Sequence, residues 1–171
     1  MKNSRLITAL VVVIVVIGLG GFVYYEYFDQ GGNLNVKVMD APMTGVSAVY
    51  LTFDEVAIHG TTSNWNYYNV TSKTIDILGL TTTNASLFAS ISLTAQKYTA
   101  IWLYVTHVTV VVGGVNHNFT MESNWAKVVG NFNVSAHSST DIIIAFNLSQ
   151  ELNLVAQIFT PVVGSVSMQM G

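Results

Sequence analysis

The sequence predicts a mainly β protein, a β-sandwich preceded by one N-terminal transmembrane helix. Three observations carry this. Leu6 to Tyr25 is an unbroken apolar run without a charge. After it, β-branched and aromatic residues alternate with polar ones. Turn-forming Gly, Asn and Ser then cut the remainder into short segments.

At about 1.5 Å per residue, some 20 helical residues span a hydrocarbon core of roughly 30 Å. Lys2 and Arg5 precede the run, and Glu26 and Asp29 follow it. This asymmetry predicts the N-terminus inside and the C-terminus outside. Tyr24, Tyr25, Tyr27 and Phe28 suit an interfacial aromatic belt. A cleaved signal peptide has a shorter apolar stretch, about 7–15 residues, ending in a small-x-small site. Here the run is longer and leaves through Gly18, Gly20 and Gly21 with no Ala-x-Ala. Residues 1–29 therefore read as a cytoplasmic tip and signal anchor. A pilin-like stem is the alternative, although Lys2-Asn-Ser-Arg-Leu6 matches a pilin processing site poorly.

Gln30 to Asn33 reads as a flexible hinge, and residues 34–171 as one extracytoplasmic domain at the cell membrane. Leu34 to Met39 alternates as a strand. Val46 to Ile58 places Val49, Leu51 and Phe53 on one face, with Tyr50, Thr52 and Asp54 on the other. Trp65 to Val70 and Thr74 to Leu78 read as short strands. Thr83 to Ser92 is the one segment that reads as a helical turn, capped by Thr83 or Asn84. Tyr98 to Val112 is a long strand that Gly113-Gly114 turns as a hairpin into Val115 to Met121. Val128-Val129, Asn131 to Val134 and Asp141 to Phe146 are strand-like. Ser149 to Leu154 reads as one turn, and Ile158 to Met168 as the closing strand.

Charge is sparse: 9% of residues are Asp, Glu, Lys or Arg, against about 25% in ordinary soluble domains. No basic patch exists, which argues against nucleic acid as a partner. The surface must instead be Ser, Thr, Asn, Gln and Tyr, which suits an acidic exterior or a glycan coat. There is no cysteine, so an exported domain must rest on packing and sheet hydrogen bonds.

Several phrases, in order, resemble the prokaryotic domain-of-unknown-function family 4382. They are Val38 to Pro42, Val46 to Phe53 with His59, Thr74 to Leu78, Tyr98 to Val105, Lys127 to Phe132 and Thr140 to Phe146. The resemblance implies an immunoglobulin- or transthyretin-like sandwich, exported and tethered to a membrane. It brings no catalytic residues. Relatives often use a lipobox Cys as anchor; this chain has none, so its N-terminal helix would take that role. The Asn- and Tyr-rich, charge-poor style looks like that of a thermoacidophilic archaeon.

Asn69, Asn84, Asn118, Asn133 and Asn147 each begin an N-x-[ST] glycosylation sequon. The alternative for each is an unmodified Asn in a loop. Asp40-Ala-Pro42 reads as a structural turn; Asp40 with Asp54 or Glu55 offers too few oxygens for calcium. His59, His107, His117 and His137 lack metal-ligand spacing, although His107 and His117 flank the glycine hairpin. Met168 with Met170, and Met39 with Met43, are thioether pairs of the kind that binds copper(I), but Met more often fills space. No nucleophile motif occurs. Asp54 and Glu55 are expected on opposite faces of a strand, where they cannot flank one glycosidic bond. Tyr50, Trp65, Tyr67, Tyr68, Trp102, Tyr104 and Trp125 could form an exposed strip for stacking on sugars, or fill the core.

The sequence thus predicts a membrane-anchored surface protein with a structural, adhesive or accessory role, without catalysis or cofactor. Its expected partners are the membrane, a surface protein or further copies of itself, and glycans. Alternatives are a filament subunit, a carbohydrate-binding module and, most weakly, an envelope copper-binding protein. In the filament reading, the strand Leu34 to Met39 complements a neighbour's sheet.

Overall fold

A computed structural model describes residues 14, 15, 17, 30–40, 43–62, 64–161 and 163–170. Ile14, Val15 and Ile17 are helical. The rest of the expected membrane helix lies outside the described residues, as do Ala41 and Pro42. Among the described residues, no helix is long and apolar enough to cross a membrane.

The domain is two sheets packed face to face. Its strands are β1 (Gly31–Asp40), β2 (Ala48–Gly60), β3 (Trp65–Asp76), β4 (Ser86–Thr94), β5 (Gln96–Val112) and β6 (Val115–Asn118). There follow β7 (Thr120–Met121), β8 (Trp125–Val134), β9 (Ser139–Phe146), a short helix α1 (Leu148–Glu151), β10 (Leu152–Asn153), β11 (Ile158–Phe159) and β12 (Val163–Met170). The first sheet runs β12-β9-β1-β4. The second runs β3-β2-β5, and both β6 and β8 pair with the far edge of β5. The pieces β10, β11 and β7 form a small third sheet.

Alternation builds the core. Leu34, Val36 and Val38 of β1 and Ile142, Ile144 and Phe146 of β9 face Val49, Leu51 and Phe53 of β2 and Ile101, Leu103 and Val105 of β5. Phe53 bridges the sheets, with its ring 4.9 Å from Phe88 and 6.2 Å from Phe146. Each fully buried side chain of this size contributes about 1.5–3 kcal/mol by leaving water. That is how a domain without cysteines holds together.

Several expectations are corrected. Gly31 to Asn33 are not a hinge but the first residues of β1. The Asn33 amide donates to the Ser138 carbonyl (2.9 Å), and the Ala95 amide to the Gln30 carbonyl (2.6 Å). Gly32 permits this, because a Cβ there would strike the Ser135 carbonyl and Val134 Cγ1. The segment Thr83 to Ser92 is not helical. From Ser86 it is β4, whose Phe88, Ile91 and Leu93 are buried against the second sheet. Helix propensity lost to the free edge of β1, with which β4 pairs over eight positions. β1 therefore lies between β9 and β4, and Leu34 to Met39 has no edge to offer a neighbour. Asp54 and Glu55 do not alternate cleanly, since a bulge between Phe53 and Glu55 shifts the phase of β2. Both are half-buried, between the core residues Phe53 and Val56.

Two expected features are present. Gly113 (φ 59°) and Gly114 (φ 81°) turn β5 into β6, both in the left-handed region that a two-residue hairpin requires. The turn expected over Ser149 to Leu154 corresponds to α1, which begins one residue earlier.

Candidate binding face

The outer face of the second sheet collects the aromatic residues. Register places them in three cross-strand rows. His59 of β2 lies opposite Trp65 and Ala100; Ala57 lies opposite Tyr67 and Trp102; Glu55 lies opposite Asn69 and Tyr104. On β8, Lys127 pairs with Trp102, and Trp125 with Tyr104. Residues two apart on a strand share a face, so Trp65, Tyr67 and Asn69 project together, as do Trp102 with Tyr104 and Trp125 with Lys127.

The rings form a chain across four strands. Trp65 and Trp102 have centroids 4.1 Å apart, inclined at 41°. Trp102 lies 6.0 Å from Trp125. Trp125 in turn meets Tyr104 edge-on at 4.8 Å and Tyr67 at 6.2 Å. His59 stands 5.2 Å from Trp65 and bonds Thr99 Oγ1 through Nδ1 at 2.8 Å. The Lys127 ammonium sits 4.8 Å above the Trp102 ring, within cation–π range. Ala57 and Ala100 point outward yet are buried, at 0% and 7% exposure, and neither belongs to the central core. Small side chains there let the large rings lie down over the sheet. The three tryptophans are half-buried, and Tyr67 is 59% exposed.

One polar atom in the cluster is unmatched. The Trp102 indole Nε1 is buried and finds no acceptor among the described residues. Such a donor costs about 1–3 kcal/mol, which a purely structural face would be expected to avoid.

Of the aromatics expected outside, five gather here and two do not. Tyr50 lies further along the same face, at 38% exposure. Tyr68 turns inward against the core, where burial and then Tyr98 push its phenol pKa up. Sequence reading missed Lys127 and His59 as neighbours of the rings, and Ala57 as the floor beneath them. The period-two pattern of Trp102-x-Tyr104 and Trp125-x-Lys127 was the available signal; only register joins the strands.

The other candidates stay apart. His117 pairs with Val110, and His107 with Thr52, so the hairpin does not bring the two histidines opposite each other. Among the described residues, no three His, Cys, Asp or Glu side chains converge as a metal site. Asp40 is buried, and its carboxylate accepts the Leu148 amide at 3.3 Å. Glu151, also buried, accepts the neighbouring Asn147 amide at 2.9 Å, so both carboxylates serve the start of α1. Open depressions of about 370, 360 and 460 Å³ lie around Gly31–Asn33 and His137, between β3 and β4, and beside α1. None holds the tryptophans.

The sequon asparagines Asn69, Asn84, Asn118 and Asn133 are exposed. Asn147 is half-buried, and its Oδ1 accepts the hydroxyl of its own sequon's Ser149 at 2.7 Å.

Residues 31–159 match the family described as domain of unknown function DUF4382, and the chain belongs to that family. No curated protein matches it. Among solved structures it is similar to a candidate cell adhesion protein of Bacteroides eggerthii DSM 20697, with 10% identity and a TM-score of 0.37. The likeness covers 83% of this chain and 55% of that one, so the chain spans little more than half its length. A likeness that weak defines neither fold nor function.

Proposed function

We propose that this chain is a non-catalytic adhesive module at the cell surface, held by its N-terminal apolar run and contacting its target through the aromatic face. One observation carries the reading. Five aromatic side chains from three strands of one sheet are laid side by side on the outside of a domain whose core is already complete. Tryptophan and tyrosine are among the residues that recognition surfaces concentrate. The uncharged run Leu6 to Tyr25 supports the tether. So do Ile14, Val15 and Ile17, helical and exposed at 61%, 50% and 68%, as lipid-facing residues would be. The two-sheet order, with its first strand parallel to a late one, supports a sandwich of the immunoglobulin or transthyretin kind.

In the same reading, exposure selects Asn69, Asn84, Asn118 and Asn133 for glycans and spares Asn147. Glycopeptide mass spectrometry of the protein from its native membranes checks this. Adhesion itself is tested with membranes carrying the full chain. They should retain envelope material, and a Trp102→Ala, Trp125→Ala double variant of equal abundance should retain much less. Undiminished retention by that variant rules out the aromatic face as the contact.

A further inference from the structure

We infer that the aromatic face is a sugar-binding shelf whose ligand is an uncharged polysaccharide. This rests on the adhesive reading of the same face and adds the chemical class of its target.

Shape gives the first argument. The rings extend over four neighbouring strands, β3, β2, β5 and β8. The rings lean toward one another across these strands, with Tyr67 of β3 only 6.2 Å from Trp125 of β8, so they make one compact patch against which a short stretch of a sugar chain can lie. The three depressions described above are not lined by the tryptophans, which instead lie on an open sheet face with Tyr67 exposed beside them. A shelf of this kind suits the side of a long chain, not a small molecule that must be surrounded. Pyranose rings present C–H groups on their flat faces, and these pack against the negative face of an aromatic ring.

Charge gives the second argument. The cross-strand rows of the face contain Lys127 and Glu55, one of each sign. The face is therefore complementary to a neutral partner. An anionic polymer or an acidic membrane surface would call for an excess of cations, and the rows offer one. The remaining rim is hydroxyl and imidazole: Thr99 and His59. Such groups, with one carboxylate and one ammonium, pair with sugar hydroxyls, which both donate and accept.

Burial gives the third argument. The tryptophans lie against the sheet, half-buried, on a floor of Ala57 and Ala100. Insertion among lipid headgroups needs side chains that stand out of the surface. Stacking needs rings held in place, which the alanine floor and the Lys127 contact provide.

The protein supplies its own reporter, because all its tryptophans, three in number, are on this face. The full chain in phosphatidylcholine nanodiscs is titrated with neutral oligosaccharides (gluco-, manno-, xylo- and N-acetylglucosamine series) while tryptophan emission is recorded. Affinity electrophoresis through the matching polysaccharides gives a second measure. At least one series should shift the emission saturably and retard the protein. Tyr67→Ala removes an exposed ring without touching the core, and should weaken that binding about tenfold with an unchanged circular dichroism spectrum. Trp125→Ala should weaken it further. Absence of any shift or retardation across the neutral series overturns the sugar assignment. If the Trp102→Ala, Trp125→Ala variant still loses retention of envelope material, the adhesive face stands and only its ligand class is wrong. Quenching of the tryptophans by bromine-labelled lipid in the nanodisc also overturns the proposal, by assigning the face to the bilayer.

Discussion

Single side chains decide two properties of this domain. Gly32 sits in β1 where a Cβ would meet the Ser135 carbonyl and Val134 Cγ1. Gly32→Ala should destabilise by roughly 1–3 kcal/mol, the usual range for overpacking. Glycine to alanine inside an unstrained strand would stabilise slightly, so the sign of the change in thermal midpoint is the test. Asp141 is the second case. On the outside of the first sheet it accepts hydrogen bonds from Lys37 Nζ and from Asn35 Nδ2 (2.8 Å). These bonds, Lys37 first, hold its carboxyl below the ordinary value of 3.8. Since the folded value is depressed, the pair's stabilisation is present above the ordinary value and is lost as pH falls through the depressed one. Lys37→Met should therefore cost stability near neutral pH, about 1 kcal/mol or less for a partly exposed pair. The deficit should close in the acid, below the ordinary carboxylate value; chemical denaturation along a pH series measures it. A deficit that widened in acid would contradict the assigned pairing.

Strands are where the sequence was most and least legible. Alternation located β2, β5 and β9 because each carries an apolar face, interrupted in β2 and β5 only by bulges, and the glycine pair marked the hairpin because glycine adopts two successive positive φ values without steric cost. Gly114→Val should accordingly weaken the hairpin by about 1–2 kcal/mol, read as a lowered thermal midpoint, whereas Asn at the same place should be nearly neutral. Alternation failed at β4 because Ala89 is buried beside Phe88, which blurs the period, and Ser and Ala serve helix and strand alike. It failed at β1 because Gly31 and Gly32 look like a linker until the Ser135 carbonyl is brought against them from about a hundred residues away. The aromatic residues of the outer face were visible as a list. Their grouping was not, since Trp65, Trp102 and Trp125 come from separate strands joined only by register.

At the scale of the molecule, the proposed anchor, taken with the sheets, implies which end faces outward. β1 enters beside the start of β5: Gly31 pairs with Thr94, and the Ala95 amide bonds Gln30. β5 then runs 17 residues from Gln96 to Val112, away from that end, and at about 3.4 Å per residue covers some 55 Å. The Gly113-Gly114 hairpin therefore marks the pole furthest from Gly31, where β1 begins, with Val115 beside it 57% exposed. The aromatic rows lie between, at Trp102 and Tyr104, on the flank and not at the tip. A flank contact suits a polymer running along the envelope better than a partner met end-on. The orientation is testable without knowing the ligand. A short epitope inserted between Gly113 and Gly114 of the full chain should be bound by antibody on intact cells, since both glycines are exposed and a Cβ there would meet nothing. The same epitope fused before Met1 should be reached only after the cells are permeabilised. If the hairpin epitope also required permeabilisation, the outside placement of the domain would be wrong, and with it the adhesive role.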